Sequence, residues 1–262
     1  MSTGINFNKR LGFIKTSITI KTQNSLDPDA QAFITAAAIT NPTQQAAINT
    51  LVVDLKGYNI WSKMLVIYPF VGGTALSNSK NLKNISLGTL SYTTGVNHGT
   101  LGIQGNTVSY ADTGLKSTTI GFTQNNAASG IYLQSWTLGQ TMPYGHFGNL
   151  TMYRTGNVVY PMINNALNTS TGVPILNGLL QTSRDNALNF IFKDKNNAPV
   201  TLTSGSSALN STLNLYVCFG NNYNGVNDWI SFNYYALALT ATELTNMNTA
   251  VQTFQTTLGR QV

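Results

Sequence analysis

Apolar positions along this chain recur with two periods, and the first is helical. Ala30, Phe33, Ile34 and Ala37 share one face, as do Ile48, Leu51, Val52 and Leu55. Each run opens on a start signal. Asp27 is placed to cap with Pro28 at the first helical position, and Asn41 is placed to cap with Pro42 behind it. Gln44 stands where a capping-box partner reaches back, and Gly57 is expected to supply a left-handed stop. The spacing predicts two short helices. Helices this short are marginal alone, so each must lay its stripe on something larger.

The remainder reads mostly with period two. Over residues 14–21, Ile14, Thr16, Ile18 and Ile20 alternate with Lys15, Ser17, Thr19 and Lys21, the pattern of a half-buried strand. Ile60 and Trp61 are expected to pin the helices to a sheet. Residues 64–71 are nearly continuously apolar, which suits a strand covered on both faces. Further strands are expected over 107–111, 118–122, 131–137, 150–154 and 157–163. Leu188, Phe190 and Phe192 alternate as inward positions ahead of a hairpin turn at 194–197. Leu213, Leu215, Val217 and Phe219 repeat the pattern, and residues 229–239 do so again. A closing helix starts at a Thr240–Glu243 capping box, carries Leu244, Met247, Val251, Phe254 and Leu258, and ends at Gly259. Its stripe suits packing on the sheets better than a seam between subunits. Many short strands separated by Gly and Asn turns indicate a mainly β sandwich or jelly roll, not a βαβ fold.

Composition changes that picture in one respect. Charged residues make up 8% of the 262 residues, far below the roughly 25% usual for globular domains. The polar surface must therefore be built from Asn, Thr, Ser, Gln and Gly. Net charge is +6, but the one local cluster is Lys9, Arg10, Lys15 and Lys21. It reads as a solvated strand face, with an acidic docking partner as the second reading. A single cysteine, Cys218, excludes an internal disulfide. No apolar run has the length to span a bilayer, and the first residues lack a signal-peptide core, so no membrane insertion is expected.

Candidate chemistry is sparse. The two histidines, His98 and His146, lie in Gly-rich turns with no Cys or acidic residue at metal-ligand spacing. Gly72-Gly73-Thr74 and Ser77 to Lys80 fail the spacing of a phosphate loop. Glycoside hydrolysis usually takes two carboxyl groups flanking the scissile bond. Here the one glutamate, Glu243, is explained by its capping box, and the seven aspartates stand singly or in turns. The expectation is therefore no enzyme, no cofactor and no metal. What remains is a binding surface. The loop at 220–229 gathers Asn221, Asn222, Tyr223, Asn224 and Asp228, and Trp136 and His146 are further contributors. Aromatic faces and amide or carboxylate side chains are what sugars bind to. An Asn-Gly loop with a tyrosine is also an ordinary hairpin end.

Four stretches resemble the opening of a group of tailed-phage structural proteins. They are Asp27-Pro28-Asp29-Ala30, Thr40-Asn41-Pro42-Thr43-Gln44-Gln45-Ala46-Ala47-Ile48-Asn49, Ile60-Trp61-Ser62-Lys63-Met64 and Ile67-Tyr68-Pro69-Phe70-Val71-Gly72-Gly73. The close, Ala250-Val251-Gln252-Thr253-Phe254-Gln255-Thr256-Thr257-Leu258-Gly259-Arg260, resembles the same group's C-terminus. The likeness covers nearly the whole chain and is loosest in the middle, where residues 221–229 depart from the group's loop.

The resemblance implies a concanavalin A-like (laminin G-like) jelly-roll sandwich with a short N-terminal helical pair and a C-terminal helix. Residues 1–25 would form a strand and docking arm, 26–66 the helical pair, and 67–262 the sandwich with its closing helix. The Glu-x-Asp-x-x-Glu strand of glycosidases on this fold and the acidic clusters of its calcium-binding lectins are both missing from the sequence. The implied role is a phage virion structural protein: a head fibre, spike, decoration or tail-fibre subunit that binds host surface glycan. A purely architectural capsid or tail subunit is the alternative, and a polysaccharide-degrading enzyme comes third. Expected partners are other virion proteins and copies of itself, as a trimer or higher oligomer, with no nucleic acid. The expected location is the virion, after assembly in the host cytoplasm.

Overall fold

The structure is a computed structural model that describes residues 25–106, 108–135, 144–145, 150–155, 158–165, 172–174, 177–206, 212–218 and 227–262. The chain starts with helices α1 (Pro28–Ala36) and α2 (Pro42–Gly57). A 3-10 turn, Trp61–Lys63, leads to β1 (Met64–Tyr68), the short helix α3 (Ala75–Asn78), β2 (Ser91–Tyr92), β3 (Asn97–Gly99) and β4 (Gly102–Gln104). Next come β5 (Ala111–Lys116), β6 (Ala127–Leu133), β7 (Tyr144–Gly145), β8 (Leu150–Thr155) and β9 (Val158–Ile163). The chain continues through β10 (Val173–Pro174), β11 (Gly178–Arg184), β12 (Asn189–Lys193), β13 (Val200–Thr203), β14 (Asn214–Val217) and β15 (Trp229–Ala236). Helix α4 (Ala241–Thr257) closes it.

These strands form an antiparallel jelly-roll sandwich. An eight-stranded sheet runs β13-β12-β11-β6-β15-β4-β3, with β1 beside the later half of β15. Two smaller sheets, β2-β5-β14-β7 and β10-β9-β8, supply the facing layer. Ile131, Leu133, Leu180, Ile230 and Tyr235 of the large sheet meet Leu115, Met152, Val159, Leu215 and Val217 in the core between them. The large sheet's other face carries Tyr132, Leu179, Phe232 and Tyr234 against Phe33, Ile48, Leu51, Met247 and Phe254 from the helices. The central sheet is thus covered on both sides, which is why β6 and β11 are buried at every position. The apolar run at 64–71 fits the same layering: β1 pairs with β15 alone, yet Met64, Val66, Ile67 and Tyr68 are all buried.

The Asp27 and Asn41 caps form as the sequence indicates, but Gln44 closes no capping box and only its backbone N–H bonds the cap. Asp27 accepts from Asp29 N at 3.0 Å, and Asn41 Oδ1 accepts from Thr43 N at 2.9 Å and Gln44 N at 3.2 Å. Gly57 is not the left-handed stop. Helix α2 runs through it, and Asn59 takes the positive φ (60°), since asparagine tolerates that conformation. Two cations, Lys56 and Lys83, flank the Trp61 ring at 5.5 and 4.5 Å. This fixes the helical pair beside the start of β1.

Several strand expectations shift. Residues 118–122 turn instead of extending: Thr119 N and Ile120 N both donate to Lys116 O, at 2.9 and 3.2 Å. Near 107–111, Asn106 Oδ1 accepts from Val108 N and Ser109 N, each at 2.9 Å, and the strand starts only at Ala111. Phe190 and Phe192 are buried, but Leu188 is 69% exposed. Asn186 Oδ1 holds Leu188 N and Asn189 N in a turn before β12 begins. The hairpin at 194–197 is present, with Asp194 Oδ1 accepting from Asn196 N and Asn197 N at 2.8 and 2.7 Å.

Arg260 ties the segment after α4 to the segment after β1. Its side chain is buried and spends its donors on carbonyl groups. Nη1 reaches Phe70 O at 2.7 Å and Thr100 O at 3.4 Å, while Nη2 reaches Pro69 O at 2.8 Å and Ser231 O at 3.0 Å. Nε donates to Gln255 Oε1 at 2.5 Å. Burial pushes the guanidinium pKa down to about 9, which still leaves it charged at neutral pH. A second link joins Lys63 to Glu243 at 2.7 Å.

Candidate functional site

Strand ends at one edge of the large sheet bring part of the expected binding surface together. Chain pairing does this directly: β6 ends at Leu133 where β15 begins, and Gln134 N donates to Trp229 O at 3.0 Å. Ser135, next to Trp136 in sequence, donates from Oγ to Asp228 Oδ1 at 3.2 Å. The described chain therefore enters 136 and leaves 226 from adjacent points. Gly145, next to His146, belongs instead to the smaller sheet, opposite Tyr216.

Of the residues expected to hold sugar, Asn221, Asn222, Tyr223, Asn224, Trp136 and His146 lie outside the described residues, as do Lys9, Arg10, Lys15 and Lys21 of the docking arm. Asp228 is described, and it is fully buried. Its carboxylate accepts from Ser135 at the base of the loop, which makes it an anchor for the strand ends.

On the outer side of β15 the sheet presents amides. Gln104 on β4 lies opposite Trp229, and Asn97 on β3 lies opposite Gln104. Cross-strand partners share a face, so the three form one row. Asn97 Nδ2 donates to Gln104 Oε1 at 3.3 Å, and Gln104 Nε2 donates to Asn227 O at 2.7 Å. Trp229 is half-buried and its six-membered ring lies against Gly99. A Cβ at position 99 would stand 2.9 Å from Trp229 Cη2, so a glycine there gives the ring its seat. The row was not legible from the sequence, because Asn97 and Gln104 are more than a hundred positions from Trp229. The faint signal was the short Asn97-His98-Gly99 to Gly102 hairpin.

His98 faces the other way and is half-buried, not a surface turn residue. Asn78 Nδ2 stands 3.2 Å from His98 Nδ1 and donates to Gly102 O at 3.3 Å. The carbonyl contact orients the amide with its nitrogen toward the ring, so Nδ1 accepts and the imidazole is neutral. Burial holds its pKa below the ordinary histidine value. Thr74 and Ser77 cap the short helix α3 reciprocally, which accounts for the hydroxyls of the loop that resembled a phosphate cradle. A cleft of about 420 Å³ opens between the α1–α2 connection and this loop, lined by Ile39, Asn41, Gln44, Thr74 and Ser77 among others. No ionisable side chain lines it. Among the described residues no three His, Cys, Asp or Glu side chains gather as a metal site, and no helix is long and apolar enough to cross a membrane.

No family model and no curated protein matches the sequence. Solved structures do resemble the fold. Domain 4 of a GH43 extracellular arabinanase from Geobacillus stearothermophilus, in complex with arabinotriose, matches at 12% identity and a TM-score of 0.43. The match covers 71% of this chain and 98% of that one. A Trypanosoma rangeli sialidase matches at 9% identity and a TM-score of 0.47, over 78% of this chain and 38% of the sialidase. The same sialidase in complex with a difluorinated sugar acid matches at 9% identity and a TM-score of 0.41, over 78% and 39%. The chain thus spans well under half the length of the sialidases. The expectation that the chain is not an enzyme is corrected on this finding. The solved chains it resembles come from an arabinanase and a sialidase, so the carboxylate count does not stand as an exclusion.

Proposed function

We propose that this chain is a structural subunit of a phage particle that displays one edge of its sandwich and holds host surface glycan there. The observation that carries the reading is the Arg260 clasp. The N-terminal and C-terminal stretches that resemble phage structural proteins are bonded to each other, through Arg260 to Pro69 O and Phe70 O. Lys63, in one of the opening stretches, also pairs with Glu243 in the first turn of α4. Contact between the two resembling stretches supports reading them together, as parts of one helical cover on the central sheet. A surface of uncharged polar residues suits a subunit packed among copies and other particle proteins. The clustered strand ends at Asp228 and Trp229 supply the displayed edge, with amides and an indole to meet sugar hydroxyls and ring faces.

Antibody raised against the purified chain tests this by gold labelling of particles in negative stain. Label at a fixed place on the particle supports the reading. Clean particles from a lysate that contains the chain would overturn it. The same preparation, offered oligosaccharides, reads both binding and turnover.

A further inference from the structure

We infer that the row Asn97, Gln104 and Trp229 is a binding site for an uncharged sugar ring. The inference deepens the glycan-holding part of the function proposed above and rests on it. Three features of the row point to this ligand chemistry.

The first is the order of the amides. Asn97 gives one N–H to Gln104, and Gln104 gives one N–H to the Asn227 carbonyl, so both amides are held in register by the sheet beneath them. Each keeps a second N–H for a ligand, and Asn97 Oδ1 accepts nothing among the described residues. A held amide pair offers donors and an acceptor side by side at little entropic cost. That matches the alternating hydroxyls of a pyranose or furanose.

The second feature is the indole. Trp229 is half-buried, its ring seated on Gly99, and its Nε1–H has no partner among the described residues. The glycine keeps the ring low against β3, where a larger residue would displace it. A ring fixed in this way presents an apolar face and one polar handle, the combination that meets the C–H side of a sugar while a hydroxyl finds the N–H.

The third is charge. Asn97, Gly99, Thr100, Gln104, Asn227 and Trp229 carry no ionisable side chain. Two charged side chains adjoin the row in the chain or by a hydrogen bond, and both are occupied: Asp228 is buried and accepts from Ser135, and Arg260 is buried among carbonyls, Thr100 O included. An acidic sugar would give up its hydration here without a cation to replace it. A neutral ring loses nothing comparable.

The test starts from the intact chain on an array of neutral oligosaccharides built from hexoses and pentoses, printed beside sialylated and sulfated ones. Binding confined to neutral glycans is expected. Asn97→Ala with Gln104→Ala should weaken the best neutral ligand by about tenfold or more, in keeping with the loss of direct hydrogen bonds. The melting temperature of the double variant checks that the fold is kept. The unaltered protein gives a second reading through its three tryptophans. In a ¹⁵N spectrum with the neutral ligand added, the Trp229 indole signal should move and that of Trp61 should stay. Silence toward every neutral glycan overturns both the inference and the glycan part of the function above, while leaving the particle reading to its own test. Preference for acidic glycans, or neutral binding unchanged by the double variant with a still Trp229 signal, overturns the inference alone.

Discussion

Replacing Arg260 by methionine probes the joint between the close of the chain and the segment after β1. Methionine keeps much of the stem's packing beside Phe254, whose ring lies 5.4 Å from the guanidinium carbon, and removes every donor. Not all acceptors suffer equally. Ser231 O keeps a bond from Gln255 Nε2 at 3.4 Å, and Thr100 O was bonded only at the margin. Pro69 O, Phe70 O and Gln255 Oε1 are the three that lose a close, buried partner. A buried acceptor left unpaired costs about 1–3 kcal/mol, so three cost about 3–9 kcal/mol. Release of a buried charge works against this and holds the net loss near the low end, at about 3 kcal/mol. For a chain of this length that is a fall of about 6–12 °C in melting temperature. Arg260→Lys should lose at least half as much, since one ammonium cannot reach carbonyls on three separate segments. Scanning calorimetry reads both variants, and limited proteolysis reads release of α4. A methionine variant melting within about 2 °C of the parent would refute the reasoning. The carbonyls would then be finding water, and the joint would be held by something else.

Two further outcomes follow from the same structure. Burial pushes the Glu243 carboxyl up, but the Lys63 ammonium and the Thr240 N–H outweigh it and hold the pKa below the ordinary 4.5. The folded value is the lower one, so this stabilisation is present above pH 4.5 and is lost as pH falls through the folded value. Glu243→Gln should therefore flatten the acid side of the stability profile in a urea titration, and an unchanged acid limb would contradict the pairing. Gly130→Ala adds a methyl that overlaps the Tyr234 ring and stands 3.1 Å from Leu180 O. A loss of about 1–3 kcal/mol is expected for such overpacking, read in the same titration.

Particular residues show how far the sequence could be read. Asp27-Pro28, Asn41-Pro42 and Thr240 with Glu243 named the helix starts because a cap is local chemistry, settled within four residues. The apolar stripes on α1, α2 and α4 were equally plain, since helical period survives whatever the stripe packs against. Leu188 was misread because alternation cannot tell a strand from the turn before it. Asn186 decided that by hydrogen-bonding the backbone of Leu188 and Asn189. Residues 118–122 failed likewise, their apolar residues buried from a turn at Lys116.

By itself, then, the sequence determined helices α1, α2 and α4, the mainly β class and the poverty of charged chemistry, because each rests on short-range periodicity or on counting. Tertiary structure alone decided that the central sheet is covered on both faces, that Arg260 reaches across 190 positions to Phe70, and that Asp228 is buried. It also made Asn97, Gln104 and Trp229 neighbours. Strand pairing sets those distances, and sheet register depends on which distant faces bury together, which no local pattern encodes.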